Sequence, residues 1–80
     1  MGFTRHRVGI ARADLARVCL QEMRLWPGCE TVGSVGVLGD LGGRFMLHVI
    51  DYGCAKKHIA DRALKCIQRE KSRRLQLKME

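Results

Sequence analysis

Eighty residues carrying a formal charge of +7 leave room for one domain, and a core of that size supplies only about 3 to 5 kcal/mol of net stability unaided. No apolar run approaches the 18 or so residues that a bilayer span requires, and the polar opening Met1 to Val8 does not read as a signal sequence, so the expectation is a cytoplasmic protein with no membrane partner. The four cysteines, Cys19, Cys29, Cys54 and Cys66, include no C-x-x-C pair and have only three histidines to complement them, which argues against a zinc site and for free thiols in a reducing compartment.

Residues 1–8 hold Arg5, His6 and Arg7 without periodicity and read as a basic N-terminal arm ahead of a single domain over 9–80. A first helix is predicted over about 12–26, with Leu15, Val18, Cys19, Met23, Leu25 and Trp26 on one broad apolar arc. Glu22 falls inside that arc and is expected at the core's edge or paired with a basic side chain. Pro27 and Gly28 end the helix, since proline breaks the hydrogen-bond ladder and glycine suits a left-handed C-terminal position.

The period then changes. Residues 31–38 (TVGSVGVL) and 44–51 (RFMLHVID) alternate as strands, with Phe45, Leu47 and Val49 on one face of the second and Met46, His48 and Ile50 on the other. The Gly39-Asp40-Leu41-Gly42-Gly43 segment between them is turn chemistry, so the two strands form an antiparallel hairpin. These glycines match neither the dinucleotide fingerprint nor a P-loop, because a strand follows them where a helix is required. Asp51 is expected to accept from the free N–H groups at the start of the next helix, with Tyr52 packed at the hairpin's edge.

Residues 54–80 form the longest helical pattern and hold nine Lys/Arg against three acids. At about 100° per residue, Ile59, Ala60, Ala63, Cys66 and Ile67 face one way. His58, Arg62, Lys65, Arg69 and Arg73 face the other, a cationic ridge of roughly 20 to 25 Å that spans several duplex phosphate spacings. Cys66, like Cys19, reads as a small buried hydrophobe.

The pattern is α+β: helix, two-stranded antiparallel hairpin, helix. A lone hairpin exposes its edges, so a homodimer completing a four-stranded sheet is expected. The constellation His48, Asp51, Cys54 and His58, with Cys54 and His58 one helical turn apart, is the nearest approach to a reactive site; it lacks any oxyanion-hole signature, and the chain reads as a binder, not an enzyme, with no cofactor and no metal. The leading expectation is a nucleic-acid-binding or nucleoprotein-associated accessory module. Its phosphate contacts come from Lys56, Lys57, Arg62, Lys65, Arg69 and Arg73, with Arg5 and Arg7 as an arm. The alternative is a protein-interaction module, a small inhibitor or adaptor, that docks on an acidic protein through the hairpin edge or its outer face at Met46, His48 and Ile50.

The segment 45–67, FMLHVIDYGCAKKHIADRALKCI, resembles the last strand and final helix of double-stranded-RNA-binding domains, where a strand leads to a Lys-Lys pair opening an Ala-rich helix. Lys56 and Lys57 match that pair, and Ala60 and Ala63 stand near the family's packed alanines. The resemblance implies that these lysines contact phosphates across a groove, reading shape more than sequence.

Overall fold

A computed structural model describes residues 7–39 and 42–78. Six elements follow in order: strand β1 (Val8–Ile10), helix α1 (Arg12–Met23), strands β2 (Ser34–Gly39) and β3 (Phe45–Asp51), helix α2 (Lys57–Arg74) and strand β4 (Leu75–Leu77). The architecture is α+β, with an antiparallel β2–β3 hairpin as the sequence predicts and a second, parallel β1–β4 pair that the sequence reading omits.

The helix α1 buries Leu15, Cys19 and Met23, one residue per turn. It ends three residues short of the expected Trp26 because proline disfavours the helical conformation in the residue before it. The chain tightens there into shorter turns, Leu25 N–H donating to Glu22 O and Trp26 N–H to Met23 O, each at 3.0 Å. Leu25 is therefore left 83% exposed, not in the core.

The hairpin shows the expected alternation. Val35, Val37 and Phe45 point into the core and Leu47 and Val49 pack partly against it, whereas Leu38, Met46 and Ile50 on the opposite face are 62 to 64% exposed. The register pairs Gly36 with His48 and Leu38 with Met46, and slips at Ser34/Val35, a bulge at the end of the ladder. Gly36 leaves room for the His48 ring, which lies over it where a Cβ would stand. Both helices pack on the inner face of the hairpin, α1 against β2 and α2 against β3. The shortest dimension of the molecule is 16 Å, one helix layer on one sheet layer, and among the described residues no second layer covers the outer face.

The expected helix over 54–80 is shorter at both ends. Cys54 to Lys56 form a turn, in which Ala55 N–H donates to Tyr52 O at 3.0 Å and Cys54 N–H to Thr31 Oγ1 at 2.9 Å. Asp51 serves this turn, its Oδ1 accepting from Gly53 N–H at 2.9 Å, and does not cap the helix, whose N-cap is Lys56. Gly53 has φ +59°, and a Cβ there would overlap the Thr31 carbonyl, so the turn requires glycine. At the other end the alternation of Leu75 and Leu77 wins over helical continuation. The extended segment pairs with β1, and Leu77 is 7% exposed against Gly39. Leu77 N–H donates to Gly43 O at 2.8 Å, and Lys78 N–H to Ile10 O at 2.9 Å, tying both ends of the domain to the hairpin turn.

Candidate nucleic-acid interface

The inward line of α2 is Ala60, Ala63, Leu64, Ile67 and Lys71. Directly across the helix, about 180° from that line, stand His58, Arg62, Lys65, Arg69 and Arg73, all exposed. The expected apolar face is corrected at one position: Cys66 is exposed because it lies roughly 120° from the centre of the buried line, and Leu64 takes its place in the core. The second fully enclosed thiol after Cys19 is Cys29, in the loop after α1.

What makes the ridge unusual is the fate of the nearby acids. The helix carries seven Lys/Arg and two acids, and both acids are drawn elsewhere. Asp61 Oδ1 accepts from the Tyr52 hydroxyl at 2.6 Å, a bond that raises the phenol's pKa. Glu70 Oε1 stands 3.4 Å from Lys71 Nζ. Among the described residues no carboxylate forms an ion pair with Lys56, Lys57, Arg62, Lys65, Arg69 or Arg73.

Lys71 is the exception on this helix. Only 8% exposed, it pairs with Glu22 of α1 as well as with Glu70, which is how Glu22 comes to sit inside the apolar arc. Burial alone would lower the lysine's pKa, but the two carboxylates outweigh it and the net direction is up. The same burial pushes the neighbouring Cys19 thiol up to about 11.

The start of α2 adds to the positive field. It has no side-chain cap and no acid in its first turn, so the partial positive charge of the helix end coincides with Lys56, Lys57 and His58. At the far end, Arg7 Nε donates to the Ser72 carbonyl at 2.9 Å, which holds the Arg7 side chain beside Arg73. Arg5 lies outside the described residues. The second predicted surface, Met46, His48 and Ile50, is exposed on the outer face of the hairpin together with Leu38.

The helical spacing expected for Cys54 and His58 is absent. Cys54 precedes the helix and is held in the turn, so Cys54 and His58 are not one helical turn apart. No group of three His, Cys, Asp or Glu side chains placed to hold a metal is found among the described residues, and no described helix is long and apolar enough to cross a membrane. No protein-family model, characterised protein or solved structure matches the chain.

The sequence missed Lys71 and Gln68. Lys71 sits four residues after Ile67 on the buried line, a spacing that could have revealed it. Gln68 bonds to β3 backbone, and no local pattern signals which strand a helix will lie against.

Proposed function

We propose that this chain is a small basic nucleic-acid-binding or nucleoprotein-associated accessory module that grips phosphates with the ridge of α2. The observation carrying this reading is the unneutralised line Arg62, Lys65, Arg69 and Arg73, set opposite the core with both acids of the helix engaged elsewhere. A solvated helix face in a domain of this size ordinarily interleaves its charges. Here, among the described residues, the cations face outward without an ion-pair partner, and release of counterions on meeting a polyanion favours binding.

Lys56 and Lys57 add positive charge at the uncapped start of α2, beside the line and not on it, in keeping with the double-stranded-RNA-binding resemblance. Arg7 extends it at the other end, with Arg5 following in the arm. No Phe, Tyr or Trp lies on α2, so the expected mode is backbone contact without base stacking. A homodimer would double this charge. Its natural seam is the outer edge of β2, because Gln68 of α2 already occupies part of the β3 edge.

The deciding experiment titrates the protein against short duplex DNA, duplex RNA and single strands over a range of salt. Affinity should fall steeply with salt. The variant Arg62→Glu/Lys65→Glu/Arg69→Glu should reduce the slope of log K against log salt by about 2 to 3 while leaving the helical circular dichroism unchanged. Absence of binding at low salt would overturn the proposal.

A further inference from the structure

At the outer edge of β3 a side chain holds the place of a peptide group. Gln68 of α2 accepts from Leu47 N–H through Oε1 at 2.6 Å and donates from Nε2 to Phe45 O at 2.8 Å. One carboxamide thus satisfies a donor and an acceptor two residues apart, as the backbone of a neighbouring strand does. The same Nε2 also donates to Ser72 Oγ at 2.8 Å, which orients it. Alternation along the ladder turns the N–H and C=O of Val49 to this same edge, and Gln68 does not reach them.

Alongside runs a groove of about 350 Å³ between β3 and α2. Leu47, Val49 and Leu64 give it an apolar lining, Tyr52 and Asp61 close one end, and Lys65 stands on its wall. A strand edge with open peptide groups beside a helix-lined apolar trough is the geometry of strand addition, in which main-chain bonds provide affinity and alternate side chains enter the trough.

We propose that this groove takes an extended acidic polypeptide segment, added to β3 as a further strand. The N–H and C=O of Val49 suit a partner whose backbone repeats donors and acceptors at the strand spacing, whereas the phosphate groups of a nucleic acid offer acceptors only. Acidity follows from the wall: Lys65 belongs to the cationic ridge with Arg62 and Arg69 close by, and the groove's carboxylate, Asp61, is occupied by Tyr52. A second copy is disfavoured here, since pairing two β3 edges would bring together two α2 helices, each with seven Lys/Arg against two acids. The inference stands independently of nucleic-acid binding.

The test is a nitrogen-15 NMR titration of the full chain with the blocked octapeptide (Glu-Val)4 and with a twin N-methylated at every residue, which keeps the charge and removes the backbone donors. The expected result is movement of the Leu47 and Val49 amides and the Gln68 side-chain amide, with at least tenfold weaker binding of the methylated twin. Gln68→Ala should bind at least as tightly as the parent, because it uncovers the Leu47 and Phe45 groups, and Lys65→Glu should bind severalfold more weakly. Three outcomes would overturn the proposal: no shifts; equal binding of both peptides with shifts confined to Arg62, Arg69 and Arg73; or protection of the Val49 amide that grows with protein concentration in the absence of peptide, which would assign the edge to a second copy.

Discussion

Lys71 shows how one residue is decided by its surroundings. On composition it is one more cation of a basic helix, yet it is the single charged side chain among the described residues that is buried, and its partner Glu22 is the one acid within the apolar arc of α1. Removing either partner leaves the other poorly solvated, whereas replacing both with neutral groups costs less. Lys71→Met is expected to destabilise the fold by about 1 to 3 kcal/mol, and a double-mutant cycle with Glu22→Gln should return a coupling of about 1 kcal/mol. The lysine's pKa is raised on folding, so its contribution is complete below the ordinary lysine value of about 10.4 and is lost as pH rises through the higher folded value. Denaturant melts of the parent from pH 8 to 11.5 should therefore fall at the alkaline end more than those of Lys71→Met; parallel curves would refute the pairing.

Among the elements, β4 is the most informative, because three residues convert the end of a helical pattern into a strand. Leu75-Gln76-Leu77 has the apolar alternation of a strand, but a longer helix would also accommodate it. The parallel pairing with β1 and the bond from Leu77 N–H to Gly43 O settle the choice, and neither partner is near in sequence. Leu77→Ala should cost about 2 kcal/mol, the low end of the range for a buried leucine because a terminal strand can close on the space. Gln76→Ala, an exposed neighbour in the same strand, should stay within about 0.5 kcal/mol. Equal effects in urea melts would show that β4 contributes no packing. The ridge of α2 was legible from spacing because it depends on one helix alone: Arg62, Lys65, Arg69 and Arg73 must share a side wherever that helix packs. Cys66 was misplaced because an apolar residue at the margin of a face is assigned by the neighbour that covers it, and α2 turned Leu64 inward.

At the scale of the whole molecule, the arrangement is two-layered and thin, with the ridge on the helix side and Leu38, Met46 and Ile50 on the bare side of the sheet. The two surfaces meet at the groove along the β3 edge, which Lys65 of the ridge lines together with Met46 and His48 of the outer face. The β3 edge is partly sealed by Gln68, whereas no side chain among the described residues bonds to the outer-edge backbone of Val35 or Val37 on β2. A dimer seamed at β2 would place two ridges on one particle. Sedimentation equilibrium at micromolar concentration is expected to give twice the 9.1 kDa chain mass, reduced to the monomer by Val37→Pro, which removes an edge donor. A monomer mass for the parent at all concentrations would exclude this seam.

Local chemistry alone determined the two helices, the hairpin and its inside and outside faces, and the charge asymmetry that makes α2 a cationic element, since period and turn residues act over a few positions. Tertiary structure decided the rest: which strand each helix covers, that β1 and β4 pair across nearly the whole chain, that Lys71 and Glu22 meet in the core, and that Gln68 seals half of a strand edge and leaves the other half open. Each of these depends on groups far apart in sequence, whose meeting is fixed only when apolar burial has selected one packing among many.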